Sequence, residues 1–120
     1  MTAPIGWPSE VPPPTVPGWE QAAVPWLLDL CPSEHRAHQI LARHPVVLAR
    51  VALEHVRAGL AALRTGYARA RVDFEKVLDQ PQVEAVVAFY EAEGRRLRKA
   101  EAGVALIDQA LRGKKFAPKL

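Results

Sequence analysis

Apolar residues recur with alternating steps of three and four along two long segments of the chain, 46–77 and 83–111. This alternation is the heptad pattern of helices that pack along a narrow seam. Only the short stretch 79–82 separates the segments, so the second helix should fold back antiparallel on the first. The sequence therefore predicts an all-α fold built on a long, coiled-coil-like antiparallel helical hairpin, with helices over about 45–78 and 81–112.

The predicted seam has one polar position. Folding at the loop pairs positions whose residue numbers sum to about 160, which sets Glu93 opposite Tyr67 at the height of Gly66 and Gly94. We expect the Tyr67 hydroxyl to bond the Glu93 carboxylate; a hinge or a notch for a partner is the alternative. The predicted seam residues are Val46, Ala49, Leu53, Val56, Leu60, Leu63, Tyr67, Ala70, Phe74 and Val77, and Val83, Val86, Tyr90, Glu93, Leu97, Ala100, Val104, Ile107 and Leu111.

The residues before the hairpin predict a proline-rich arm followed by two short helices. The arm, 1–18, should be extended polyproline II and lie along the body, because Trp7 is costly to leave in water. The helices should cover about 19–30 and 33–43 and pack at the open end of the hairpin. We therefore expect one helical domain over 19–113 and a basic C-terminal tail over 114–120.

Composition indicates an ordinary folded domain. The chain has 120 residues, 49% of them hydrophobic and 24% charged, with a net charge of +3. The single cysteine, Cys31, suits a reducing compartment, and we see neither a secretory signal nor an apolar run long enough to cross a bilayer. We therefore expect a cytoplasmic protein, and the richness in Ala, Arg, Val, Leu and Pro is typical of a bacterial one.

One flank of the predicted hairpin is basic. It carries arginine at every heptad step of the first helix, and the second helix contributes the run 95–99 beside it. We expect Arg50 to pair with Asp108 and Arg57 with Glu101. Nearer the loop neither arginine has an acidic residue opposite: Arg64 faces Gly94, with Arg95 and Arg98 nearby. Arg71 faces Val87 and can reach Glu75 one turn along its own helix. A solvated face and a binding site for an anionic partner are the two interpretations. The candidate partner-binding residues are Arg64, Arg71, Arg95, Arg96, Arg98 and Lys99.

A second candidate contact is apolar. Ala85, Phe89 and Ala92 form a patch near the loop that no other predicted element covers. An uncovered apolar patch is typical of a subunit or partner contact. We therefore expect Phe89 to lie in a homodimer, in a partner contact or under the N-terminal arm.

The sequence offers no convincing catalytic constellation. Cys31, His35, His38 and His44 are the only cluster of metal-ligand types, and they lack the paired spacing of a zinc site. No glycine-rich phosphate loop is present, and no oxyanion donor can be named for a Cys31–His35 pair. We predict no catalytic residue, no metal site, no cofactor and no small-molecule substrate.

The sequence therefore predicts a non-enzymatic protein–protein interaction or scaffold module that acts through the stalk of the hairpin. The alternative is a nucleic-acid-associated accessory protein that uses the basic residues of the upper stalk. The absence of a known groove-reading motif favours the first hypothesis.

Overall fold

The protein is a helical hairpin with smaller elements at its open end, described by a computed structural model over residues 3–116. The helices are α1 (Trp19–Asp29), α2 (Gln39–Arg43), α3 (Pro45–Phe74) and α4 (Gln80–Leu111), and a 3-10 helix covers Ser33–Ala37. No strand occurs in this part of the chain. The long helices α3 and α4 pack against each other, which confirms the predicted all-α hairpin.

Local sequence signals fix the ends of the long helices. Pro45 occupies the first turn of α3, where its missing N–H costs nothing. Asp79 caps α4: its side chain accepts from the backbone N–H of Gln82, whose side chain accepts from the backbone N–H of Asp79. At the other end Gly113 adopts φ 92° and donates to Ala110 O at 3.0 Å, the C-terminal arrangement that favours glycine.

The main core lies at the open end of the hairpin, where α1 and α2 pack on α3 and α4. Leu27, Leu48, Val104 and Ile107 have almost no exposed surface there. This burial confirms the predicted base in which the short helices dock on the hairpin. The predicted second helix is wrong in one respect: His38 is extended, so the chain forms a 3-10 helix and then α2.

The N-terminal arm packs on the body but is not polyproline II. Trp7 meets Trp19 edge to face with ring centroids 5.4 Å apart, and Val11 is buried in the main core. The backbone runs through tight turns; Gly6 and Gly18 have φ 93° and 81°. A turn with glycine at its third position needs this positive φ, so the glycines convert an extended arm into a folded one.

The seam continues up the stalk with a thinner core. Val56, Leu60 and Ala100 form a second buried cluster, against which Leu97 packs. Two predicted seam positions are wrong: Val77 is 72% exposed and Tyr67 is 43% exposed. Val77 lies outside the seam because α3 ends at Phe74, three residues before it.

No helix within residues 3–116 combines the length and the apolar character that a membrane span requires.

We predict that Leu60→Asp destabilises the protein by about 3 kcal/mol or more, because it places an unpaired carboxylate in a cluster where Leu60 is 5% exposed. Ala61→Asp is the control, since Ala61 is exposed and its substitution costs about 0.7 kcal/mol in helix propensity. Urea denaturation followed by circular dichroism measures both. Equal losses in the two variants would contradict the assignment of Leu60 to the seam.

Candidate functional site

Heptad spacing brings four arginines of α3 to one face of the stalk, which we call the arginine flank: Arg50, Arg57, Arg64 and Arg71. The predicted pair of Arg57 with Glu101 is confirmed, with Arg57 Nε 3.0 Å from Glu101 Oε2. Nearer the loop Arg71 donates two hydrogen bonds to Glu84, at 2.9 and 3.2 Å. If each arginine and the residue facing it on α4 are called a rung, two rungs of this flank are therefore closed by ion pairs between the helices.

Two predicted partners on this flank are wrong. Arg71 bonds Glu84 of α4 instead of Glu75 on its own helix, and the hydrogen bonds that it donates to the Glu84 carboxylate raise the pKa of its guanidinium. Asp108 bonds Arg112, one turn along α4, at 3.0 Å and leaves Arg50 without it. Long arginine side chains reach along or diagonally across helices, so the directly opposite residue is not always the partner.

Between the two closed rungs the stalk opens into a cleft of about 270 Å³, which we call the basic cleft. Gly94 occupies the wall opposite Arg64, so no side chain projects there to meet the guanidinium. Of the ion pairs formed within residues 3–116, none includes Arg64, Arg95 or Arg98. The lining residues are Leu60, Leu63, Arg64, Tyr67, Tyr90, Glu91, Gly94, Arg95 and Arg98.

The six predicted basic residues do not form one surface. Arg64, Arg95 and Arg98 meet in the basic cleft, whereas Arg71 is bound to Glu84. The remaining two, Arg96 and Lys99, line a different cleft of about 310 Å³. That second cleft is bounded by the arm and α1, so the basic run of α4 is divided between two parts of the stalk.

The predicted bond between Tyr67 and Glu93 is wrong. Glu93 accepts two hydrogen bonds from Arg96, both at 2.6 Å. These bonds hold the pKa of the Glu93 carboxyl below its usual value. Arg96 lies three residues from Glu93 on the same helix, so its side chain reaches the carboxylate more easily than Tyr67 on α3 does. Tyr67 instead lines the basic cleft.

Tyr90 and Glu91 are cleft residues that the sequence did not indicate. The Tyr90 ring lies against the backbone of α3 at Gly66: a Cβ atom on Gly66 would be 2.5 Å from Tyr90 Cε1. Gly94 differs, since a Cβ atom there would meet only the tip of Arg98, at 3.4 Å. Glycine at 66 therefore admits the Tyr90 ring. Gly94 is itself buried, but a side chain there would first meet only the flexible end of Arg98.

No element within residues 3–116 covers the predicted apolar patch. Phe89 is 59% exposed, Ala85 and Ala92 are exposed, and the nearest aromatic contact of Phe89 is Tyr90 at 5.5 Å between ring centroids. The arm does not cover the patch, because it docks lower on α4, with Pro8 against Gly103. A contact with a partner or a second copy stays a prediction for these three residues.

The histidines lie near the base, away from the basic cleft. The His35 ring lies 5.0 Å from His55 and 6.5 Å from His38, measured between centroids. His55 is an addition to the predicted cluster, brought close by the docking of the 3-10 helix on α3. The Cys31 thiol donates to Leu27 O, and burial raises the pKa of that thiol. In the part of the chain that the structure describes, no three His, Cys, Asp or Glu side chains converge to hold a metal ion.

Comparison of the chain with protein-family models, with curated proteins and with solved structures found no match. The geometry of the stalk is therefore the basis for a functional proposal.

We predict that the same substitution has opposite effects at the two glycines of the upper stalk. Gly94→Ala should stabilise the protein by about 0.5–1 kcal/mol, because alanine favours helix and only the Arg98 tip lies nearby. Gly66→Ala should destabilise it by about 1 kcal/mol or more, because the Tyr90 ring must move. Urea denaturation of the two variants checks this, and effects of the same sign would contradict the described seating of Tyr90.

Proposed function

We propose that the protein is a non-enzymatic interaction module whose stalk binds an acidic segment of a partner protein at the basic cleft. The observation that supports it is the cluster of Arg64, Arg95 and Arg98, which share one cleft and form no ion pair with any carboxylate of residues 3–116. Three like charges around one cleft repel each other, so an anionic group placed among them is stabilised.

The neighbouring rungs support a carboxylate as the anion. Arg57 and Arg71 each form an ion pair with a glutamate of the opposite helix. At the corresponding position opposite Arg64, α4 has Gly94, which has no side chain to form such a pair. A guanidinium matches a carboxylate in charge and in planar geometry. A glutamate or aspartate of the partner would therefore give Arg64 the ion pair that glutamates of α4 give Arg57 and Arg71 on either side of it.

A protein partner fits the surroundings of the cleft better than a nucleic acid. Glu91 lines the cleft itself, and Glu84 and Glu101 flank it along the stalk. A phosphate backbone tracks a continuous basic surface, which these carboxylates interrupt. The single thiol, Cys31, is consistent with the cytoplasm as the place of action.

The test is a reversal of charge at two arginines of the basic cleft. Arg64→Glu combined with Arg98→Glu should weaken binding of a labelled decaglutamate peptide by about tenfold or more, measured by fluorescence anisotropy at about 0.1 M salt. The fold should survive, because both side chains are exposed.

The matched control is Arg50→Glu combined with Arg57→Glu, which changes the net charge equally on the same flank. It should cost less than about 1 kcal/mol of stability through the lost Arg57–Glu101 pair and leave peptide binding within about twofold. Equal losses of binding in the two double variants would show that the flank acts only through its overall charge. Tighter binding of random-sequence DNA than of the peptide, with a steep salt dependence, would support the nucleic-acid alternative instead.

A further inference from the structure

The basic cleft is larger than a carboxylate requires, and apolar side chains form part of its lining. Its volume is about 270 Å³, whereas a cavity of about 150 Å³ in another protein accommodates benzene. Leu60 and Leu63 contribute apolar walls, and Tyr67 presents a side chain that is 43% exposed. The cleft therefore has room for a ring-sized side chain beside the group that meets the arginines.

Aromatic surfaces line the part of the cleft nearer the loop. Tyr90 is held by its contact with the Gly66 backbone, and Tyr67 lines the same space. Aromatic rings pack favourably against other rings in offset or edge-to-face geometry, and a guanidinium such as that of Arg95 attracts the face of a ring. An aromatic side chain can therefore pack against the tyrosine rings and also attract the Arg95 guanidinium, whereas an aliphatic side chain lacks the second interaction.

We infer that the basic cleft is an anchor pocket for one aromatic side chain of the partner, with acidic residues beside it that reach Arg64, Arg95 and Arg98. This inference rests on the proposed function and adds the chemistry of the partner segment. The charge of the arginines selects an acidic segment, and the space lined by Leu63, Tyr67 and Tyr90 accommodates the aromatic residue within it. Aromatic anchors in a pocket are the residues that dominate the affinity of many interfaces.

The experiment compares three labelled peptides, blocked at both ends, that differ only at the central position: Glu-Glu-Trp-Glu-Glu and its leucine and alanine counterparts. The tryptophan peptide should bind about tenfold more tightly than the alanine peptide, with leucine between them. Gly94→Gln fills the open space without changing the charge, and it favours helix, so the fold should be kept. In this variant the tryptophan peptide should bind only as tightly as the alanine peptide, whose own affinity stays within about twofold.

The control is Ala62→Gln, an exposed position of α3 that does not line the cleft, and it should leave the preference for tryptophan intact. If the three peptides bind equally to the unmodified protein, or if Gly94→Gln keeps the preference, the anchor pocket is refuted while the proposed function stands on the charge reversals. If leucine binds as tightly as tryptophan, the aromatic selectivity is refuted. If none of the peptides binds, the proposed function fails with the inference.

Discussion

The packing of α3 on α4 is the interaction on which the rest of the structure depends. At the base this seam merges with the core under α1 and the arm, where Leu48 and Ile107 are fully buried. Farther up, no other element within residues 3–116 covers the two helices, and the buried residues nearest the loop include the small Ala70 and Val83. A thin core leaves the flanking charges in contact with water and with each other. The upper stalk is therefore both the least covered part of the hairpin and the part where side chains are free to meet a partner.

The register of that seam decides which flanking residues meet. Heptad spacing places arginines at equal intervals on α3, and the residue that α4 offers at each interval decides the outcome. Glu101 and Glu84 close the rungs at Arg57 and Arg71, and Gly94 leaves the rung at Arg64 open. The rung at Arg50 is open as well, because Asp108 bonds Arg112. The cleft at Arg64 lies between the two closed rungs, and it needs no specialised loop or cofactor.

The sequence predicted the features that follow from helical geometry. Periodicity determined the hairpin, and the Arg57–Glu101 pair followed because both residues occupy flank positions at the same height. It also predicted that Arg64 faces Gly94 with Arg95 and Arg98 nearby, which is the core of the candidate site.

The errors concern choices among competing polar partners and turns. Glu93 has both Arg96 and Tyr67 within reach of a hydrogen bond in the predicted register, and the shorter helical pair forms. In the arm, proline is compatible with both polyproline II and tight turns. The chain forms turns, in which Gly6 and Gly18 adopt positive φ. The sequence placed Tyr90 on the seam, but it did not predict the contact of its ring with Gly66, which depends on how closely the two backbones approach there.

The glycines inside the long helices differ in what the packing demands of them. A Cβ atom on Gly66 would collide with the Tyr90 ring, and one on Gly103 would lie 2.9 Å from Pro8 of the arm. Those two positions need glycine for close contact within the chain. Gly94 is different, because a Cβ atom there would meet only the flexible end of Arg98.

A glycine inside a helix costs about 1 kcal/mol relative to alanine. At position 94 a Cβ atom would meet only the end of Arg98 among residues 3–116, so no close packing contact there requires glycine. The stability of the hairpin would favour a side chain at this position, and a glutamate there would in addition neutralise Arg64. The helical glycine at 94 and the arginines that form no ion pair within residues 3–116 both lower the stability of the isolated chain. Features that weaken local stability without a packing reason are expected at functional sites, and this expectation ties Gly94 to the binding role that we propose for the cleft.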